Sequence, residues 1–111
     1  IRIPINSSLF SWTLENIINN SIDAMKGKGN ITIILKNEKK VINIIIIDTG
    51  KGIANKNISL VFNPGFTTKK RGWGLGLSLA KRIIEDYHKG QLRIKDSEIN
   101  KGTTFEIILR K

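Results

Sequence analysis

Cysteine is absent from this 111-residue chain, so neither a disulfide framework nor a thiolate metal site can be built, and a reducing compartment is compatible with it. Long apolar runs are missing too. The longest, residues 41–47, is broken by Asn43 and falls far short of the eighteen apolar residues of a membrane span. It reads as a buried strand, and this piece of chain is not expected to be membrane-embedded itself. The opening "IRIPIN" has no initiator Met and no signal-peptide pattern, which suggests a piece of a longer protein. There is no internal repeat, no linker and no sign of a second domain. With 40% hydrophobic and 25% charged residues, residues 1–111 are expected to form one globular domain.

Acidic residues are scarce: 9 Asp and Glu stand against 19 Lys and Arg, for a net charge of +10. Such a balance suggests an anionic partner, whether nucleic acid, anionic lipid, acidic protein or the phosphates of a nucleotide. The cations are spread along the chain, however, and Lys, Asn and Ile are abundant throughout, as biased codon usage would make them. Specific nucleic-acid binding is not expected.

The order of elements follows from periodicity and punctuation. "IRIPIN" suggests a short strand. A helix is expected from about 8 to 26, capped by Ser7 or Ser8 and stopped by Gly27 and Gly29. Its core stripe would be Phe10, Leu14, Ile17, Ile18, Ser21 and Met25. "NITIILKNE" and "KKVINIIIIDT" then suggest an antiparallel hairpin with Ile42, Ile44 and Ile46 on one face. Residues 49–71 are a long loop with one helical turn at "ISLVF", and loops of that length tend to be functional. A second helix at about 75–88, ended by Gly90, and strands at "QLRIKDS" and "TTFEIILR" complete the chain. The fold class is α+β: a two-layer α/β sandwich with a mixed, mostly antiparallel sheet and helices on one face.

Three places could carry chemistry. Asn16, Asn20 and Asp23 gather on the polar side of the first helix, with the two Asn one turn apart. They read either as a solvated face or as amide oxygens for Mg²⁺, a hard cation that keeps waters and phosphates in its shell. Asp48 ends a buried strand and is followed by Gly50 and Gly52. It reads as a turn residue or as an acceptor for one directed ligand hydrogen bond, such as that of an adenine amino group. Gly72, Gly74 and Gly76 lead into the second helix, whose free amides favour phosphate, with Lys69, Lys70 and Arg71 just before them. No Gly-Lys-Ser/Thr follows, which excludes a P-loop. Leu79 occupies the place of the third glycine of a dinucleotide fingerprint, which excludes a Rossmann site.

Together these segments resemble the ATP-binding catalytic domain of sensor histidine kinases, within the group that includes gyrase, mismatch-repair ATPases and a heat-shock chaperone. "ENIINNSIDAM" resembles the N box, "DTGKGI" the first glycine box, "VFNPGFTTK" the F box and "GWGLGLSLAKRI" the second glycine box, in the family's order. "GTTFEIIL" is similar to its last strand. The resemblance implies a Bergerat-type sandwich that binds ATP with Mg²⁺. Asn16 and Asn20 would hold the metal, and Asp48 would accept from adenine. Gly50, Gly52 and Ile53 would border the base, with Thr103 assisting through water. Lys69, Gly72, Gly74, Leu75, Gly76 and Leu77 would serve the phosphates from a lid spanning residues 55–73, anchored by Phe62 and Phe66.

The same resemblance implies a protein kinase that passes the γ-phosphate to a His on a separate dimerisation helical domain, in cis or in trans, and through it to a response regulator. The piece alone would be monomeric and its parent a cytoplasmic or membrane-anchored homodimer. An anti-sigma-factor-type serine kinase and a nucleotide-gated module of a DNA-acting ATPase are the alternatives. In the chaperone-like ATPases a water-activating Glu sits one turn before the metal Asn, but here that position is Asn16, which favours kinase over ATPase. Glu15 reads equally as an aid to proton removal from the attacking His and as a surface charge. Trp73 is another departure from the family pattern. His88, at the expected helix end where the dipole would favour an imidazolium, is read as structural or solvent-facing and not as the phosphoacceptor.

Overall fold

The structure is a computed structural model that describes residues 5–63 and 76–111. The first helix, α1, spans Ser7–Ala24. Its N-cap is Asn6, one residue before the expected serines: with φ −87° and ψ 109°, its side chain accepts the Leu9 amide at 3.0 Å. At the other end Lys26, at φ 54°, takes the left-handed position. The Lys26 and Gly27 amides then bond the carbonyls of Asp23 and Ile22, a Schellman closure that ends the helix two residues earlier than its glycines suggested. Of the short opening strand, residues 1–4 lie outside the described residues, and Ile5 and Asn6 are not strand.

The chain continues through β1 (Ile31–Asn37), β2 (Val41–Asp48), the short helix α2 (Asn55–Ile58), α3 (Gly76–Arg82), β3 (Gln91–Glu98) and β4 (Gly102–Arg110). The strands form one sheet in the order β1-β2-β4-β3, and every described pairing is antiparallel. The helical turn expected at "ISLVF" lies slightly earlier, at α2. α3 does not run on as an α-helix to residue 88. It opens into a π-helical turn at Ile83–Tyr87, closed by the His88 amide on the Ile83 carbonyl at 3.2 Å. The wider turn lets two consecutive residues, Ile83 and Ile84, both be buried.

Strand alternation builds the core. Ile42, Ile44 and Ile46 of β2, Phe105, Ile107 and Leu109 of β4 and Leu92 of β3 meet Phe10 and Ile17 of α1 and Ala80 and Ile84 of the second helical segment. Leu14 packs at the margin of this cluster, and Ile18 and Met25 are only partly buried, so the stripe on α1 is narrower than expected. Thr13 is fully buried in their place, its hydroxyl donating to the Leu9 carbonyl at 3.0 Å. Self-satisfaction of that kind lets a polar residue occupy a core position.

His88 fastens the two helical segments together. Its Nδ1–H donates to the Ile83 carbonyl at 2.9 Å and its Nε2 accepts the Asn6 amide at 2.9 Å. The ring is therefore a neutral, buried structural group, not the imidazolium suggested by its place at a helix end. It lies edge-on to Phe10, with ring centroids 5.9 Å apart.

Candidate functional site

Asp48 closes β2 on the face that carries the core isoleucines and is 3% exposed. A buried carboxylate requires donors. Its Oδ1 accepts the amides of Gly50 at 2.9 Å and Thr103 at 3.1 Å, while Oδ2 has no hydrogen-bond partner among the described residues. The protein thus orients the carboxyl group and leaves one oxygen to accept from something else.

The glycine segment after Asp48 is clamped from two sides. A Cβ on Gly50 would lie 2.8 Å from that of Ala24, and the Lys51 amide donates to the Ala24 carbonyl at 3.0 Å, so this segment rests on the end of α1. Gly52, at φ +74°, leaves no room for a Cβ against the Glu98 carbonyl. The Asn100 amide bonds the Lys51 carbonyl at 2.8 Å, and the Ile53 amide donates to the Ser97 hydroxyl at 2.8 Å. Gly50, Gly52 and Ile53 are thereby fixed beside Asp48, between the first helix and the β3–β4 turn.

Asn16 and Asn20 sit on the same helix. Asn20 Nδ2 donates to the Asn16 carbonyl at 2.9 Å and to Asn16 Oδ1 at 3.3 Å. This leaves Asn20 Oδ1 without a hydrogen-bond partner among the described residues. Gly76, the first residue of α3, abuts them: a Cβ there would collide with the Asn16 side chain. The N box, the first glycine box and the last glycine of the second are therefore neighbours around α1. Leu77 packs on the margin of the core and Phe62 does the same, with Lys81 Nζ 4.9 Å over its ring.

Glu15 is exposed on the same helix. Lys69, Gly72, Gly74 and Leu75, together with Phe66, Lys70, Arg71 and Trp73, lie outside the described residues. Among those that are described, no group of three or more His, Cys, Asp or Glu could hold a metal ion. The donors in place for a hard cation are the amide oxygens of Asn16 and Asn20, which suit Mg²⁺ bound chiefly by waters and phosphates.

Two contributors were not found from sequence. Ala24 supplies both the wall for Gly50 and the carbonyl for Lys51. Ser97 holds Ile53 and meets Thr103 Oγ1 at 2.8 Å. A small residue one turn after Asn20 is a usable signal for the first. Nothing in the strand pattern signals the second, because it depends on a register slip.

Comparisons with known proteins show what the whole chain is similar to. The family described as "Histidine kinase-, DNA gyrase B-, and HSP90-like ATPase" matches residues 6–111. The catalytic domain of histidine kinase ThkA, in a nucleotide-free form, superposes with a TM-score of 0.87 at 31% identity, over 99% of this chain and 72% of that one. The mycobacterial sensor histidine kinase MprB gives 0.85 at 26% identity, over 97% of this chain and 74% of that one. Sensor histidine kinase ZraS of Salmonella typhi is 39% identical over 110 residues, which are 97% of this chain and 23% of ZraS. Sporulation kinase A of Bacillus subtilis is 35% identical over 96 residues, 86% of this chain and 16% of that kinase. The chain therefore spans less than a quarter of these two curated relatives.

Proposed function

This chain belongs to the histidine kinase-, DNA gyrase B- and HSP90-like ATPase family, as a catalytic domain of the sensor histidine kinase type, and from that premise we propose how its residues serve phosphoryl transfer. The family binds ATP. In our reading the adenine amino group donates to Asp48 Oδ2, and Gly50, Gly52 and Ile53 border the base. Thr103 assists beside Asp48, and Gly76 and Leu77, with the glycines and Lys69 before them, serve the phosphates. The observation that carries this reading is the Asp48 carboxylate, buried and held through one oxygen while the other stays available.

Mg²⁺, when bound, neutralises phosphate charge and orients the γ-phosphoryl group, the main catalytic need in this chemistry. Asn20 Oδ1, which has no hydrogen-bond partner among the described residues, would hold the metal, and Asn16 would both orient Asn20 and offer a second amide oxygen. A His nitrogen on a dimerisation helical domain attacks the γ-phosphorus, and the bridging oxygen departs with ADP. Glu15 is exposed on α1, open to an incoming domain, which suits a role in taking the His proton during that encounter. The phosphoryl group then passes to a response regulator. Residues 1–111 act as one domain, monomeric alone, within a homodimeric parent whose catalytic part works in the cytoplasm. No described helix is long and apolar enough to cross a membrane.

The test is transfer in trans. The chain is mixed with a purified His-bearing dimerisation domain and γ-labelled ATP, and acid-labile, base-stable label on that domain is the expected result. ATP hydrolysis with no label on any His would overturn the kinase assignment.

A further inference from the structure

Between Ile94 and Asp96 the β3–β4 register slips by one residue, so that Asp96 pairs with Thr104 and Ser97 with Thr103. Without that bulge Asp96 would face Thr103 and Ser97 would turn to the other side of the sheet. The slip completes a row across three neighbouring strands: Asp48 on β2, Thr103 on β4 and Ser97 on β3.

Ser97 Oγ has three partners: the Ile53 amide at 2.8 Å, the Gly102 carbonyl at 3.2 Å and Thr103 Oγ1 at 2.8 Å. The amide can only donate and the carbonyl can only accept. A hydroxyl has one hydrogen and two lone pairs. Once its hydrogen goes to Gly102 and one lone pair to Ile53, Ser97 has only a lone pair left for Thr103. With that assignment Thr103 donates its own hydrogen to Ser97, one of the two directions the 2.8 Å contact admits. Its oxygen then presents lone pairs, and no hydrogen, on the residue whose own amide donates to Asp48.

We propose that Ser97 is a specificity-determining positioning residue: by taking the Thr103 hydrogen it makes this corner a pair of acceptors, Asp48 Oδ2 and Thr103 Oγ1, which select a 6-amino purine over a 6-oxo purine. The proposal rests on the base-reading role of Asp48 given above. An amino group brings two hydrogens to two acceptors. A 6-oxo group brings only lone pairs, and the single hydrogen beside it, on N1, cannot serve both acceptors, so at least one buried acceptor stays unpaired, an arrangement that discriminates strongly between ligands of equal size.

The experiment is calorimetric titration of the chain with Mg-ATP and with Mg-ITP, whose hypoxanthine base carries the 6-oxo group. Wild type prefers ATP. Ser97→Ala frees the Thr103 hydrogen to donate, so the ATP-to-ITP preference falls by about three- to tenfold. Ser97→Thr keeps the hydroxyl and the wild-type ratio. Thr103→Val lowers the ratio as Ser97→Ala does, and combining the two lowers it no further. Equal loss of ATP and ITP affinity in Ser97→Ala would show mere support of the loop and overturn the proposal. If Ser97→Ala does not fold, an unchanged ratio in Thr103→Val overturns it just as well. A wild-type chain that binds both nucleotides alike would sink the Asp48 reading itself, and this proposal with it.

Discussion

The amide of Thr103 lies 3.1 Å from Oδ1 of Asp48, a contact that bridges 55 residues of sequence and fastens the end of β2 to the start of β4. With Gly50 donating to the same oxygen, the carboxylate is aligned by the protein before any ligand arrives. Replacing it by Asn exchanges a charged acceptor for an amide and offers the base a donor in one of its two orientations. Asp48→Asn is expected to weaken ATP binding by about tenfold or more, the range for a hydrogen bond to a charged group, while the thermal midpoint moves little. Unchanged ATP affinity by calorimetry would count against the base-reading role.

Glycine is favoured in this chain for two separable reasons. At Gly102, φ is +130° and a Cβ would collide with the Asp48 carbonyl; at Gly27, φ is +77° but nothing lies within 4 Å. Gly27→Ala therefore costs only the backbone strain, about 1 kcal/mol, and leaves ATP binding intact. Gly102→Ala adds a backbone collision and is expected to cost about 3 kcal/mol or more, with loss of nucleotide binding. Urea denaturation and an ATP titration of both variants check the contrast.

Asn20→Ala removes the amide oxygen that the geometry leaves open. ATP affinity should fall by about tenfold when Mg²⁺ is present and stay unchanged after chelation. An equal loss under both conditions would mean that Asn20 touches the nucleotide or the fold, and not the metal.

The Asn6–His88 contact makes a prediction about stability alone. His88→Ala leaves the Asn6 amide and the Ile83 carbonyl without their ring partner and removes the neighbour of Phe10, all remote from Asp48. A loss of about 1–3 kcal/mol in urea denaturation, with ATP affinity retained, is expected.

Much of this fold was legible because β-branched runs and polar turns announce strands directly. The pairing of "NITIILKNE" with "KKVINIIIIDT", and Ile42, Ile44 and Ile46 on one face, needed no tertiary information. The points that escaped depend on where each residue finds its partners. Thr13 passes for core because it bonds its own helix, and the π-helical turn serves two consecutive buried isoleucines. Of the site, Asp48 and the glycines stand out by position. Ser97 does not, since a single extra residue at Lys95 decides which face it occupies, and a sequence pattern of period two cannot show that slip.

The most direct test of the central claim locates ATP on the molecule. The basic end of the sheet, where Lys39, Lys40, Arg110 and Lys111 line a groove of about 520 Å³, could attract phosphate by charge alone, and it lies at the far end of β2 from Asp48. Along that strand the two places are about 23 Å apart. Amide chemical shifts of the isotope-labelled chain, followed during titration with Mg-ATP, distinguish them. The account predicts saturable shifts at Asn16, Asn20, Gly50, Gly52, Ile53 and Thr103, with Lys39, Lys40 and Arg110 unmoved. Shifts confined to the basic end would contradict it.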